Sequence, residues 1–479
     1  MDPLPAKPKR RRAHDPGLPF WPYFLLGLAL TGVVMAINHG IEHRPIGQWL
    51  RAVSYDFLQF GLRENLTTPQ MKVAVVDIRN LPGPDAVEHK VPLTSRETLR
   101  QIVEALKAAG ARAVAIDINF APPTREESVD DPSLGPPVLT PAEREFIAYC
   151  EEEQRAGFHI YLGVRHRLHL ARDEWLGSLN AARLAVHGFI PARTDFGTGG
   201  HGDAHGHAGT TEGRSEVRTM PLEILVKPDG SPLPSLALAL VSTPDTHGQP
   251  GTLAGTNGVW RSFIEQFTDL RVEPIPGVSG ASVETRFFPV NFGALESLRE
   301  NAVLAVGRAD IDHSPRRGDF KDCYVIIGRG AGEGDVHRVP DARRPLTAGV
   351  FVHACAAWTL LKAPICAPTP LGRLVIDVAL STLCLLAHLK AGPWLHRVLG
   401  IRHEALERWV PWVVGGAAFV ASVVFVRFTR LMWDDFVFVL FGLLILHPYL
   451  HHIAEKILHW ARVLVARFSP RHARRSSRA

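Results

Sequence analysis

Met71 to Ile78 reads MKVAVVDI and Ala113 to Ile118 reads AVAIDI, and these two runs decide the fold. Each is a short continuous block of apolar, largely β-branched residues, the composition of a strand buried on both faces in a parallel sheet. Between them Thr94 and Glu97 have capping-box spacing, and Leu99, Ile102, Val103 and Leu106 recur with helical period. Gly110 then stands where a C-cap belongs. Strand, helix, strand at this spacing is a βαβ unit.

The pattern repeats outward. Thr140, Pro141 and Glu143 open a helix through about Ala156, Gly157 ends it, and His159 to Val164 forms a third strand. Val217 to Val226, Phe287 to Phe292 and Cys323 to Ile327 read as further strands. Val350 to Leu361 is a closing helix, followed by breaks at Pro364, Pro368 and Pro370. On the amino-terminal side Ile46, Leu50, Val53, Phe57 and Phe60 draw an apolar stripe along one helix face. The expected fold class is α/β, with a mainly parallel central sheet and helices on both faces.

Four apolar segments bracket this domain: Phe20 to Ile37, Leu374 to Leu389, Val410 to Val426 and Phe436 to Leu450. A hydrocarbon core about 30 Å thick takes roughly 20 apolar residues in helix, so each reads as a transmembrane span. The second carries Asp377 near its start, and the fourth is cut short by His447 and Pro448. Lys7, Lys9, Arg10, Arg11 and Arg12 precede the first span; Lys456, Arg462, Arg467, Arg471, Arg474, Arg475 and Arg478 follow the last. Both termini should therefore be cytoplasmic, as should the loop holding Lys390, Arg397, Arg402 and Arg408. The expected division is a basic tail 1–19, a helix 20–38, an exterior domain 39–371, helices 372–390, 410–427 and 435–453, and a basic tail 454–479. The expected location is the cell inner (plasma) membrane, crossed several times. Asn38, His39, Gly40, Ile41 and Glu42 form no small-residue cleavage pattern, so the first segment reads as an uncleaved anchor.

The chain has 479 residues and a formal net charge of +5, and the excess sits largely in the two tails. That distribution points to membrane orientation and lipid contact, and gives no reason to expect a nucleic-acid partner. Cys150, Cys323, Cys355, Cys366 and Cys384 include no C-x-x-C, which argues against a zinc ribbon or redox dithiol. Buried thiols are expected, and any disulfide pairing is unreadable at this level.

Asp77 and Asp117 end what read as neighbouring strands, on the edge where open α/β sheets collect ligands. Carboxylates buried there need a cation, a donor-rich ligand or N–H groups; the structural alternative is that they cap loops or pair with Arg79 or Arg112. Asp335 and His337 follow the Cys323 to Ile327 strand toward the same edge, and His353 stands one turn into the closing helix. These five are the candidate ligand-binding residues. Gly328, Gly330, Gly332 and Gly334 (GRGAGEG) lack the third glycine and following helix of a dinucleotide fold, leaving a loop able to approach a ligand closely. His201, Asp203, His205 and His207 are a candidate metal set, set against the ordering entropy of a glycine-rich segment. No G-x-S-x-G, H-E-x-x-H or P-loop is present. No enzyme is expected, and no cofactor is named by the residues.

Val75, Val76, Asp77, Ile78, then Ala108, Ala109, Gly110, Ala111, then Ala115, Ile116, Asp117, Ile118, Asn119, Phe120 resemble the second class of the CHASE family. Its members are extracellular sensory domains associated with cyclases and histidine kinases. Tyr324, Val325, Ile326, Ile327, Gly328, then Asp335 and Pro340, then Ala348, Gly349, Val350, Phe351, Val352, His353, Ala354 are similar to that family's far end, closing in a Gly-Val-x-x-His-Ala helix. The resemblance covers roughly Ile46 to Leu361, and implies one membrane helix before the sensor and three after it. Members commonly carry a cytoplasmic kinase, cyclase or phosphodiesterase, whereas the Arg- and Ser-rich stretch after Leu450 is too small for one. The expected function is a membrane receptor binding an unidentified exterior ligand and signalling through a separate cytoplasmic or membrane partner. A homodimer is compatible with that reading. The alternatives are a non-signalling envelope scaffold and an exterior hydrolase using Asp77, Asp117, Asp335 and His353.

Overall fold

The structure, a computed structural model, describes chiefly residues 45–81, 94–118, 141–165, 219–225, 232–243, 269–274, 282–330, 336–340, 346–369, 371–379 and 419–431. Helix α1 (Pro45–Gly61) and the single turn α2 (Thr68–Met71) lead into β1 (Val73–Asp77), α3 (Arg96–Ala108), β2 (Ala113–Asp117), α4 (Pro141–Arg155), β3 (His159–Arg165) and β4 (Ala185–His187). The middle of the chain adds β5 (Thr219–Leu225), β6 (Pro232–Pro234), α5 (Leu236–Val241), β7 (Ile264–Glu265), β8 (Asp269–Pro274) and β9 (Ser282–Pro289). A 3-10 turn (Phe292–Ala294), α6 (Leu295–Glu300), β10 (Val303–Leu304), α7 (Arg308–Asp312), β11 (Tyr324–Gly328), β12 (Val336–Arg338), β13 (Leu346–Ala348), α8 (Gly349–Lys362) and β14 (Ala367–Pro368) follow.

The central sheet has the order β10-β1-β11-β2-β3-β4, with every pair parallel. One expectation is corrected here: β1 and β2 are not neighbours. Strand β11, whose YVIIG is buried at every position, inserts between them, so Gly328 pairs with Asp77 on one side and Asp117 on the other. A run buried on both faces suits the centre of a sheet that helices cover on both sides, and there its two edges are paired as well.

Strand periodicity divides the core cleanly in two. Val73, Val75, Ala113, Ala115, Tyr324 and Ile326 face α5, α6 and α8, where Leu240, Leu298 and Trp358 lie. Ala74, Val76, Val114, Ile116, Val325 and Ile327 face α3 and α4, where Leu99, Ile102, Leu106, Phe146 and Ile147 lie. Helices thus cover both faces, as the composition of the strands requires. Strands β6-β5-β9-β8 form a separate antiparallel sheet, with a register shift between Pro221 and Glu223. Proline cannot donate to the ladder, so an irregularity falls there.

The expected strand at Phe287 to Phe292 lies instead at Ser282–Pro289, with Phe292 opening the 3-10 turn, while local signals set the helix ends closely. Helix α3 is capped by Ser95, whose hydroxyl accepts from the Thr98 amide, one residue beyond the expected Thr94. Gly110 and Gly157 end their helices with φ of +86° and +91°, the left-handed region that glycine enters without steric cost. The α1 stripe behaves differently from a core face. Tyr55, Leu58, Gln59 and Leu62 are the buried side, while Phe57 and Phe60, members of the sequence stripe, are exposed. The buried side is partly polar because it satisfies backbone groups. The Tyr55 hydroxyl and Gln59 Nε2 both donate to the Val290 carbonyl, and Gln59 Oε1 accepts from the Phe292 amide at 2.8 Å. Thr359 on α8 holds the same loop, its Oγ1 accepting from the Asn291 amide at 2.9 Å.

The chain divides into two compact units, Arg51–Arg373 with Ser422–Asp434, and Met1–Leu50 with Leu374–Ala421 and Asp435–Ala479. Among the described residues no helix is long and apolar enough to cross a membrane. The four apolar segments lie in large part outside the described residues. The described cysteines Cys150, Cys323, Cys355 and Cys366 are buried and form no disulfide with one another.

Candidate functional site

The carboxyl edge of the central sheet gathers Asp77, Gly328 and Asp117 in one row, because parallel strands in register end together. Asp77 is 2% exposed and its carboxylate is fully engaged from the protein's own side. Oδ1 accepts from the Arg79 amide at 2.9 Å and from the Gly330 amide at 2.7 Å, and Oδ2 meets the Arg79 guanidinium. Two amides and a cation meet a buried carboxylate's need for donors. Asp77 thus caps the loop and pairs with Arg79. The glycine loop does make a close approach, but to this carboxylate: a Cβ at residue 330 would lie 2.0 Å from Asp77 Oδ2.

Asp117 is built differently. Its partner is His353 of α8, with Nε2 3.4 Å from Oδ1 and both side chains essentially fully buried. That separation is an ion-pair distance, longer than the optimum for a hydrogen bond. Gly328 makes the juxtaposition feasible, because a Cβ there would come within 2.8 Å of Val350 Cβ and 3.0 Å of Asp117 Cβ. The first turn of α8 therefore lies directly against the strand end, and His353 reaches the acid one turn later.

Arg112 does not join either acid; its guanidinium lies over the Tyr324 ring, 5.1 Å from the centroid. His337 stands on the β12–β13 hairpin opposite Thr347, so it belongs to a separate ladder from the three residues of the sheet edge. Asp335 and the candidate metal residues His201, Asp203, His205 and His207 lie outside the described residues. Among the described residues no group of three or more His, Cys, Asp or Glu is placed to hold a metal ion.

Sequence reasoning missed the polar connection running from this edge to α1. Thr359 lies six residues after His353 on α8, bonds the Asn291 amide, and through the Val290 to Phe292 turn meets Gln59 and Tyr55. The signal was present as Tyr55 and Gln59 one helical turn apart, on the side opposite the apolar stripe.

A family model of the CHASE2 domain matches residues 27–389, well over half of the chain. No curated protein and no solved structure matches it significantly.

Proposed function

The chain belongs to the CHASE2 family of extracellular sensory domains, and on that premise we propose that it is a membrane-anchored receptor. In this reading residues 20–38, 372–390, 410–427 and 435–453 span the bilayer, both tails are cytoplasmic, and the α/β domain faces the exterior. The domain takes an exterior ligand at the carboxyl edge of the sheet and passes the change to a separate signalling partner. The observation that carries the reading is the Asp117–His353 pair, which joins the edge to α8, the last helix before the proline-broken stretch that precedes the second apolar segment. A ligand that alters the field around this pair shifts α8 only insofar as it binds two arrangements with different affinity.

Two measurements test the proposal. In intact cells an impermeant maleimide should modify Arg317→Cys, an exposed site, and leave Ser476→Cys in the tail unmodified until permeabilisation; the reverse pattern overturns the orientation. The purified full chain should show ligand-dependent stabilisation against a panel of envelope metabolites and metal ions. A ligand at one hundred times its Kd adds about 2.7 kcal/mol. Asp117→Asn should diminish that shift while leaving the unliganded fold intact, and equal shifts in both proteins would remove Asp117 from the site.

A further inference from the structure

A second surface lies where α1 ends. Gly61 packs directly on Val423: a Cβ at residue 61 would stand 2.3 Å from Val423 Cγ1. The Arg427 guanidinium reaches the carbonyls of Gly61 and Arg63, Arg430 pairs with Glu64 at 3.4 Å, and the Cys366 amide donates to the Arg430 carbonyl at 2.9 Å. All of these residues belong to the larger unit. The end of α1 is thereby fixed at the level of Val423, a residue of the third apolar segment.

Val423 lies three residues, about 4.5 Å of helix rise, from Val426, where that segment ends. Around this point large apolar side chains are turned outward. Phe60 is 64% exposed, Phe428 is 82% exposed, and Val424 stands one turn before Phe428 on the same helix face. Cations flank them: Arg63 lies over the Phe60 ring, 5.0 Å from the centroid, and Arg427 is exposed beside Phe428. Apolar and aromatic groups with interleaved arginines are the composition of the acyl-chain and headgroup boundary, where a guanidinium can reach phosphate while its stem stays apolar.

We propose that Phe60, Val424 and Phe428, with Arg63 and Arg427, form a lipid-facing surface by which the exterior domain rests on an anionic bilayer, α1 lying along the interface. Its occupant is phospholipid rather than a second copy of the chain. The charge argues for this, since two copies meeting here would bring Arg63 and Arg427 together with their own counterparts, whereas headgroup phosphates complement them. The proposal rests on the membrane-spanning reading above, because it takes Val423 to lie near the outer limit of a span.

The test is nitroxide accessibility in the full chain reconstituted in vesicles of phosphatidylcholine with phosphatidylglycerol. Labels are placed at Phe60→Cys, Phe428→Cys, Val420→Cys within the apolar segment, and Arg317→Cys on the domain surface. The expected result is a several-fold higher ratio of oxygen to nickel-chelate accessibility at residues 60 and 428 than at 317, approaching that at 420. A nickel-accessible label at 60 and 428 with a lipid-like label at 420 overturns the surface and keeps the span. A water-like label at 420 as well overturns the span itself. Spin–spin broadening between copies at 60 or 428 overturns the lipid occupant in favour of a dimer contact. Because the sites are exposed in the fold, each variant is read only where its thermal transition matches that of the unlabelled protein, and the agreement of residues 60 and 428 guards against a fault at one of them.

Discussion

Asp77 and Gly330 illustrate how one close contact joins residues 253 positions apart in the chain. Asp77→Ala removes the acceptor for two amides and should cost about 1.5–3 kcal/mol, the range for hydrogen bonds to a charged group. Gly330→Ala forces a methyl group into the same carboxylate and should cost about 1–3 kcal/mol. Since both changes break one bond, the double variant should be less destabilised than the two costs added, a result that denaturant titration of the full chain can read. The buried thiols give a second expectation. Burial pushes Cys323 up to about 11 from an ordinary 9.0, and burial, aided by Glu151 and Glu153, raises Cys150 further. A group that holds its proton more tightly when folded contributes stability that is whole below the unfolded value and lost as pH rises through the folded one. Stability should therefore decline from about pH 9 toward pH 11, by up to roughly 1.4 kcal/mol per pH unit for each thiol. Thermal unfolding across that range should show a shallower alkaline limb for Cys150→Ser. Of the site residues, Asp77 and Asp117 were legible as strand-end acids and His353 as a helix histidine. Which of the acids His353 meets was not, because that depends on a strand arriving between them.

At the scale of elements, the strands and their helices were legible because each carries its own period: MKVAVVDI, AVAIDI and YVIIG declare burial on both faces, and glycines with positive φ mark two helix ends. The order of the strands was not, since a βαβ pattern specifies a parallel pair in one sheet without specifying adjacency. Helix α1 was legible as amphipathic, but its apolar stripe and its buried face differ: hydrogen-bonding to Val290 and Phe292 requires Tyr55 and Gln59 on the side that meets the domain. The junction at Gly61 gives the prediction that belongs to this scale. Gly61→Ala should destabilise the full chain by about 1–3 kcal/mol through overlap with Val423. Val423→Ala in the same chain should restore much of the loss, and thermal unfolding of the single and double variants checks it. If Gly61→Ala is neutral, the end of α1 does not lie against that helix.

For the molecule as a whole, a central sheet with helices on both faces and a late strand at its centre ties the α/β domain's beginning to its end. The Tyr324 amide of β11 donates to the Lys72 carbonyl, and the Arg112 amide donates to the Cys323 carbonyl, so this strand joins the two halves of the sheet. Deleting or proline-blocking β11, as in Ile326→Pro, should therefore abolish cooperative unfolding of the domain and not merely lower its midpoint, a difference visible by calorimetry. The same arrangement has a consequence during synthesis. Until the ribosome has passed Gly328, β1 and β2 each present an apolar edge with no neighbour to cover it, so the growing chain must wait, vulnerable to proteases and to wrong pairings, through most of its translation. Biogenesis of this protein is thus expected to lean on chaperones for far longer than a fold completed strand by strand would need.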